Sequence, residues 1–284
     1  MRFLIGMGLF AFALAIGHLD GGFIASALAD GMPAPREMGM QAAATPVMED
    51  LVAFHNLLLY IITAIVIFVT LLLIIVMVRF NSKANPTPSK TTHNTLIEVL
   101  WTVLPVMILV VIAIPSFRLL YKEVVIPKAD LTVKATGYQW YWGYEYPDNG
   151  GLSFDSNVVA DADLKPGQPR LLTADNSMVV PVDTTVRVIV TGADVIHSFA
   201  VPSFGVKIDA IPGRLNETWF KATKTGMYYG QCSELCGQAH AFMPISIKVV
   251  TKEEFTSWLA EQKKSADAGS SSATVKTAQA DIAH

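Results

Sequence analysis

The chain has 284 residues, of which 52% are hydrophobic and 16% are charged, and its net charge is −3 at pH 7. A mean hydropathy of +0.41 indicates that part of the chain lies in a membrane. The slightly acidic composition gives no reason to expect a nucleic-acid partner, and we expect none.

The first 29 residues predict a signal peptide. Arg2 precedes an apolar stretch from Phe3 to Ile16, and Ala27 to Ala29 form a small-residue cleavage site. A polar interruption lengthens the gap to that site, so an uncleaved anchor stays open as the alternative. In both cases we expect the following segment, residues 30–56, to lie outside the cytoplasm.

Two apolar stretches predict a transmembrane hairpin over residues 57–121. The first, Leu57–Val78, contains no charged residue and is long enough to cross a hydrocarbon core of about 30 Å. The second, Val99–Leu120, contains two prolines, which membrane helices tolerate. Arg118 and Tyr121 at its end are residues suited to the membrane interface. A buried hairpin of a soluble protein is a poor alternative at these lengths.

The loop between the two spans, residues 79–95, sets the predicted orientation. It contains Arg79, Lys83 and Lys90 and no acidic residue. Because basic loops stay on the cytoplasmic side, both flanking regions face the opposite side. We therefore expect a multi-pass protein of a bacterial inner membrane whose C-terminal domain lies in the periplasm.

Glu98 lies at the start of the second span. A carboxylate near membrane depth is costly and indicates a functional role. At a helix start, however, the same side chain can reach the interface or stabilise the helix end. The residue alone does not decide between these two interpretations.

Residues 122–250 show the pattern of a β domain. Alternating apolar residues, separated by Gly and Pro turns, predict an antiparallel sandwich or barrel. The clearest strands are Leu131–Ala135, Thr185–Val190, Glu217–Phe220 and Ile245–Val250.

The C-terminal part begins with a capping-box pattern. Thr251 and Glu254 have the required spacing and predict a helix over residues 251–264. Residues 265–284 are rich in Ala, Ser, Thr and Asp and have little apolar surface to bury, so we expect this tail to be disordered.

The segment Cys232–Met243 concentrates the chemistry of the chain. It contains both cysteines, one histidine and one methionine, which are soft ligands that select copper. Zinc would not normally take the methionine. A disulfide is the alternative in an exported protein, but a Cys-x3-Cys bridge closes a very small loop and constrains little. His197, which precedes a proline-marked turn in the predicted β domain, is the candidate ligand from elsewhere.

An aromatic and acidic region indicates a partner surface. Residues 138–146 contain six aromatic side chains, for which core packing is the alternative interpretation. Between Glu145 and Asp183 there are seven acidic and two basic residues. Such a run is ordinarily a solvated face, but it would also steer a basic redox partner. The candidate docking residues are Glu145, Asp148, Asp155, Asp175 and Asp194.

Three segments together resemble subunit II of the cytochrome c oxidases of the haem-copper family. They are GQCSELCGQAHAFMP, the upstream DVIHSF and the aromatic run from Gly137 to Tyr146, and the similarity extends over about residues 50–260. The resemblance implies a two-helix transmembrane hairpin followed by an all-β cupredoxin-like Greek-key sandwich. It also implies a binuclear copper centre, copper A, whose two ions are bridged by Cys232 and Cys236. The remaining ligands would be His197, His240, Met243 and the main-chain oxygen of Glu234.

The resemblance assigns roles to residues outside this ligand set. Electrons would enter at Trp140, with Tyr141 beside it. Glu98 would mark the cytoplasmic mouth of a proton path into subunit I. The Glu234 side chain would reach a magnesium ion shared with subunit I.

The resulting hypothesis is a subunit that receives electrons from a c-type cytochrome and passes them to haem in subunit I. Oxygen would be reduced to water there, coupled to proton translocation, and no catalytic residue is expected in this chain. The expected partners are subunits I and III, the cytochrome and the lipid membrane. The alternatives are a quinol-oxidase subunit that lacks the copper ligands, a nitrous oxide reductase and a membrane-tethered copper-delivery protein.

Overall fold

The structure is a computed structural model that describes residues 31–265. The predicted signal peptide and nearly all of the predicted tail lie outside the described residues. The chain first forms two long helices, α1 at Pro46–Arg79 and α2 at Thr95–Val124. Both are long and apolar enough to cross a membrane, and their apolar stretches are not buried against the rest of the described chain.

Capping residues determine where the two helices begin. Thr45 precedes α1 and its hydroxyl accepts the Met48 N–H at 3.1 Å. Asn94 precedes α2 and accepts the Ile97 N–H at 3.2 Å, while Glu98 accepts the Asn94 N–H at 3.1 Å. Both helices therefore extend beyond the apolar spans, because polar residues outside the hydrocarbon region continue or cap the same helix.

The C-terminal end of α2 is attached to the start of α1 and to the β domain. The Lys122 ammonium forms an ion pair with Asp50 and donates to the Pro46 carbonyl at 3.1 Å. The Trp219 indole N–H donates to the Lys122 carbonyl at 3.0 Å. The Thr45 hydroxyl donates to the Phe204 carbonyl at 2.7 Å. These contacts fix one end of the hairpin against the domain.

The described residues contain ten strands arranged as two five-stranded sheets. One sheet has the order β3-β2-β1-β5-β8 and the other has the order β4-β10-β9-β6-β7. The strands are β1 Leu131–Tyr138, β2 Tyr141–Tyr146, β3 Leu152–Ser156, β4 Met178–Pro181, β5 Val186–Gly192, β6 His197–Val201, β7 Val206–Ala210, β8 Asn216–Phe220, β9 Gly226–Cys232 and β10 Pro244–Val250.

Alternating residues of the strands form the core between the sheets. Val186, Val188 and Val190 of β5 are fully buried, as are Trp142 and Tyr146 of β2. Each buried apolar side chain of this size contributes about 1.5–3 kcal/mol relative to an exposed one. The aromatic run therefore supplies a row of core residues on alternate positions of β2, while the intervening residues face outward.

The expectation of a purely antiparallel domain is wrong. β1 pairs with β5 in parallel, and β4 pairs with β10 in parallel, whereas the other pairs are antiparallel. The alternation of buried residues has the same period in both arrangements, so it cannot reveal strand direction. Direction follows from which distant strands become neighbours.

The C-terminal helix, α3, runs from residue 252 to residue 265, the last that is described. The predicted capping bonds are present: Glu254 accepts the Thr251 N–H at 2.9 Å, and the Thr251 hydroxyl accepts the Glu254 N–H at 3.2 Å. Trp258 packs on Tyr146 with ring centroids 5.3 Å apart, which attaches the helix to the sandwich.

Candidate metal centre

The cysteine-containing segment is the loop between β9 and β10, at one end of the sandwich. Cys232 is the last residue of β9, and His197 is the first residue of β6. These strands are hydrogen-bonded neighbours in which Phe199 lies opposite Cys232. Sheet pairing therefore brings His197 beside the loop although 35 residues separate it from Cys232.

Four side chains of this loop, Cys232, Cys236, His240 and Met243, lie close together, and His197 lies beside them. The Cys232 and Cys236 sulfurs are 3.9 Å apart. His197 Nδ1 is 4.0 Å from the Cys232 sulfur, and His240 Nδ1 is 3.4 Å from the Cys236 sulfur. The Met243 sulfur is 3.5 Å from the Cys236 sulfur. Each cysteine thus has its own histidine.

The loop backbone supplies a further donor. The Glu234 carbonyl oxygen is 3.3 Å from the Cys232 sulfur. The Glu234 side chain is exposed, so it does not take part in the buried cluster. One residue therefore presents its main-chain oxygen to the cluster and its carboxylate to the surface.

The two cysteines are free thiols. Their sulfur separation of 3.9 Å is far longer than a disulfide bond of about 2.05 Å. Both residues are buried, with exposed fractions of 5% and 4%. Burial, together with the neighbouring Cys232, raises the pKa of the Cys236 thiol to about 12. A bound cation would reverse this preference, because metal coordination deprotonates a thiol.

His197 is held from behind by Asp194. The imidazole is fully buried, and its Nε2 lies 2.8 Å from Asp194 Oδ1. Asp194 also accepts the N–H groups of Val195 and Gln139, each at 2.7 Å. Partial burial acts to raise the pKa of Asp194, but these hydrogen bonds outweigh it and the pKa lies below its ordinary value. An Nε2–H donated to the carboxylate leaves Nδ1 free to face Cys232.

Gly137 provides the space that the His197 ring occupies. A Cβ atom at this position would lie 2.8 Å from the ring Cδ2 atom, which is too close for a real contact. The Trp142 ring contacts the imidazole edge-on at a centroid distance of 6.1 Å. The Trp142 N–H donates to the Met243 carbonyl at 3.2 Å. Residues of strands β1 and β2 therefore shape the pocket around the candidate ligands.

Trp140 packs on the cysteine loop. Its indole N–H donates to the Cys236 carbonyl at 3.3 Å, and the Gln139 side chain donates to the same oxygen at 2.8 Å. Gly237, whose φ is +123°, makes room for the indole, because a Cβ there would lie 3.0 Å from Trp140. The half-buried Trp140 thus joins the surface to a residue of the cluster.

The other candidate residues lie outside the buried cluster. Tyr141 stacks on Tyr138 with centroids 4.6 Å apart. Asp155 is exposed and, within residues 31–265, no hydrogen bond or ion pair to its carboxylate is found. The remaining candidate docking residues use their carboxylates in local contacts: Glu145 with Lys134, Asp148 with the Thr132 N–H, and Asp175 with the Asn157 N–H.

Glu98 does not belong to the cluster. It lies in the first turn of α2, whereas the opposite end of this helix leads into the β domain. A helix of 30 residues spans about 45 Å, so Glu98 lies at the end of the hairpin opposite to the cysteine and histidine cluster. Its carboxylate is engaged with the Asn94 N–H.

Sequence reasoning did not single out Gly137, Gln139 and Trp142 as individual residues of the site, and it classed Asp194 only as a docking residue. The Asp-x-x-His spacing immediately before a strand was the available signal for Asp194. No sequence signal identified Gly137, because its role depends on the ring of a residue from a different strand.

Two family models match the chain. The family described as cytochrome C oxidase subunit II, transmembrane domain, matches residues 33–119, and the periplasmic domain of the same subunit matches residues 131–250. The chain belongs to the cytochrome c oxidase subunit II family. The two helices are therefore its transmembrane hairpin, and the sandwich is its cupredoxin-like domain.

Individual subunit II relatives cover most of the chain. The probable cytochrome c oxidase subunit 2 of Rickettsia bellii is 57% identical over 84% of this chain and 89% of its own length. Cytochrome c oxidase subunit 2 of Cereibacter sphaeroides is 47% identical over 82% of each chain. The solved periplasmic domain of subunit II from Bradyrhizobium japonicum is 69% identical over 50% of this chain and 99% of its own, with a TM-score of 0.47.

The donor set fits the copper that membership of this haem-copper oxidase family implies. Two thiols and an imidazole, from His197, Cys232 and Cys236, have ligand atoms within 4.8 Å of one another and are all buried. Thiolate and imidazole, with a weak thioether, form the ligand combination of electron-transfer copper sites.

Proposed function

We propose that this chain receives electrons for a terminal oxidase at a binuclear copper centre and passes them to haem in subunit I. The observation that carries the proposal is the paired arrangement of the cluster. Two buried sulfurs lie 3.9 Å apart, with His197 beside one and His240 beside the other. Two thiolates and two imidazoles could by themselves hold one tetrahedral ion. The Met243 sulfur beside Cys236 and the Glu234 carbonyl beside Cys232 bring the number of donors to six, which is more than one tetrahedral ion takes and fits a pair of copper ions.

In this assignment Cys232 and Cys236 would supply the two thiolates that hold the copper pair, and His197 and His240 would supply the imidazoles. Met243 and the Glu234 carbonyl would complete the ligand set. When bound, the copper pair supplies a centre that shares one electron between two ions, so each bond changes little on reduction. This set also argues against a quinol-oxidase subunit, which would lack the copper ligands.

The protein contributes burial and rigidity. Cys232 and His197 are fixed on paired strands, and Met243 precedes β10 and is 1% exposed. Trp142 and Gly137 confine the His197 ring. A largely buried, preformed site of this kind keeps the ligand positions similar in both oxidation states, which favours fast electron transfer.

Electrons enter at Trp140 in this proposal. Its half-buried ring is hydrogen-bonded to the Cys236 carbonyl, which gives a short path from the surface to a bridging ligand. Tyr141 and the acidic residues of the same region, including the exposed Asp155, form the docking surface for the basic face of a c-type cytochrome. Complementary charge of this kind accelerates association and makes it sensitive to salt.

The remaining assignments concern the assembled oxidase. The exposed Glu234 carboxylate reaches a magnesium ion at the contact with subunit I, and Glu98 marks the cytoplasmic mouth of a proton path into that subunit. Subunit III is a further partner. The assembly lies in a bacterial inner membrane with the β domain in the periplasm, and oxygen reduction with proton translocation takes place outside this chain.

We also propose a division of the chain. Residues 1–29 are a signal peptide, and residues 30–56 are an extracytoplasmic segment. The hairpin of residues 57–121 has its cytoplasmic loop at residues 79–95. The copper domain comprises residues 122–250, followed by the helix and tail. N-terminal sequencing of the mature protein from its native membrane tests the first of these assignments.

Copper counting on the purified full-length chain tests the proposed function. We expect two coppers per chain and an electron paramagnetic resonance spectrum in which one unpaired electron is shared equally by both. Cys232→Ser, which removes one bridge, should lose the shared spectrum. One loosely held copper in the parent chain would favour copper delivery, and none with a Cys232–Cys236 disulfide would exclude a copper centre.

A further inference from the structure

Asp194 differs from the other candidate docking residues because its carboxylate contacts a candidate copper ligand, His197. Oδ1 lies 2.8 Å from His197 Nε2 and accepts the Val195 N–H at 2.7 Å. Oδ2 accepts the Gln139 N–H at 2.7 Å. The side chain is 34% exposed, so part of it reaches the surface, but its hydrogen-bonding atoms point inward to three donors.

These donors belong to separate parts of the site. His197 begins β6, whereas Gln139 lies in the turn between β1 and β2. The same turn holds the cysteine loop, because the Gln139 side chain and the Trp140 indole both donate to the Cys236 carbonyl. Asp194 is therefore the group that joins a candidate copper ligand to the turn that carries Trp140.

We propose that Asp194 is a positioning residue for copper binding and electron transfer, in addition to any effect that its charge has on the cytochrome. Its carboxylate selects the His197 tautomer with hydrogen on Nε2, which presents the Nδ1 lone pair to the cluster beside Cys232. It also fixes the Gln139–Trp140 turn against Cys236. The consequence for electron transfer rests on the proposed function, whereas the tautomer and the turn position do not require copper.

The chemistry of the side chain makes the proposal testable. A carboxylate behind a metal-binding histidine fixes its ring orientation, and its loss typically lowers metal affinity 10–100-fold. Asp194→Asn has the same shape, but its NH2 group must face either the His197 and Val195 donors or the Gln139 donor. Asp155→Asn removes the same charge from the same region without an internal hydrogen bond, and is therefore the matched control.

The first measurement uses the copper-free full-length chain in lipid, labelled with 15N-histidine. Nitrogen chemical shifts identify which ring nitrogen carries hydrogen, and His197→Gln identifies the signal of His197. We expect the Nε2–H tautomer in the parent and in Asp155→Asn, and a mixture of tautomers in Asp194→Ala, which has no acceptor. A parent tautomer retained in Asp194→Ala would overturn the proposal, whatever the copper content of the parent.

The second measurement uses the copper-loaded chain. Asp194→Asn should lose its copper at a free chelator concentration 10–100-fold lower than the parent requires. Its copper spectrum and reduction potential should also differ from those of the parent. Asp155→Asn should keep both and only slow reduction by a c-type cytochrome at low salt. If Asp194→Asn behaves like Asp155→Asn, Asp194 acts only through its charge at the surface and the proposal is wrong. A parent without paired copper refutes the proposed function, while the tautomer measurement still decides the role of Asp194.

Discussion

At the scale of single residues, the site depends on close approaches that only particular side chains permit. Gly137 and Gly237 leave space for the His197 and Trp140 rings, respectively. Met243 is fully enclosed, with its sulfur 3.5 Å from that of Cys236. Small changes at these positions should therefore alter the metal centre before they alter the fold.

Gly137→Ala should displace His197, because the added Cβ would lie 2.8 Å from the imidazole ring. We expect a cost of about 1–3 kcal/mol in stability from overpacking, and weaker copper binding. Thermal unfolding and copper titration of the full chain measure these effects. Gly39→Ala is the control, since its Cβ would contact nothing within 4 Å. Equal copper affinity in both variants would show that the His197 ring position does not matter.

Trp140→Phe should slow reduction by a c-type cytochrome while the copper content stays the same. The substitution removes the indole hydrogen bond to the Cys236 carbonyl, which is worth about 0.5–1.5 kcal/mol. It also replaces the indole with a smaller ring, which leaves a wider gap between the surface and Cys236. Stopped-flow reduction kinetics provide the measurement. Trp258→Phe, in the helix packed on Tyr146, serves as the control. Parent-like kinetics in Trp140→Phe would remove the role of this residue in receiving electrons.

Met243→Leu should retain most of the copper but change its reduction potential, because a weak thioether ligand is lost while side-chain volume is kept. Redox titration followed by the copper absorption spectrum measures the change. Met178→Leu is a matched control, since Met178 is also fully buried but lies on β4. An unchanged potential in Met243→Leu would exclude the thioether as a ligand.

At the scale of elements, local hydrogen bonds determine where helices begin, and pairing determines which loops meet. Thr45, Asn94 and Thr251 are capping residues at the starts of the three helices. The cysteine loop gains its distant histidine because β6 lies beside β9. A helix start can therefore be recognised in a few adjacent residues, whereas the neighbour of a strand cannot.

Thr251→Ala should destabilise α3 by about 0.5–2 kcal/mol through loss of its cap. Hydrogen bonds from the Thr251 backbone and side chain hold the pKa of Glu254 below its ordinary value. The carboxylate therefore contributes stability above its ordinary pKa of 4.5, and this contribution is lost as the pH falls through the lowered value.

Trp258 fluorescence during chemical unfolding of the full chain would measure the effect of the cap. Thr256→Ala is the control for the hydroxyl, because this hydroxyl only donates to the Lys252 carbonyl within the helix. Thr251→Ala keeps the backbone N–H that donates to Glu254, so Glu254→Ala tests the carboxylate. The parent should lose its advantage over Glu254→Ala as the pH is lowered through the folded pKa of Glu254, and a pH-independent difference between these two would contradict the role of Glu254.

At the scale of the whole molecule, the hairpin separates the cluster of candidate copper ligands from the basic loop of residues 79–95. The cluster lies at the end of the sandwich, and the loop lies at the far end of the hairpin. The contacts of Lys122 with Asp50, the Pro46 carbonyl and the Trp219 indole join the membrane part to the β domain. The orientation of the hairpin therefore decides on which side of the membrane the β domain lies.

Cysteine labelling tests that orientation. Ser82→Cys lies in the basic loop, and Ser153→Cys lies on the exposed side of β3, while the two native cysteines are buried. A membrane-impermeant maleimide should label Ser153→Cys from the periplasmic side and Ser82→Cys only in inside-out vesicles. Labelling of Ser82→Cys from the periplasmic side would reverse the topology.

Much of the architecture could be predicted from the sequence because its signals are local. Two long apolar runs are sufficient to indicate a hairpin, and the strands of the sandwich show alternating burial. The parallel pairs β1–β5 and β4–β10 could not be predicted, because burial alternates in the same way for either direction. The exact role of Glu98 was also ambiguous in the sequence; its cap to Asn94 is visible only in the structure.

The sequence by itself determined the family, the membrane hairpin and the residue types of the metal cluster, because each depends on residues close together in the chain. Tertiary structure alone decided that both thiols are free, that each lies beside a different histidine, and that Asp194 holds His197. These are distances between residues on separate strands and loops, and they exist only once the two sheets have packed together.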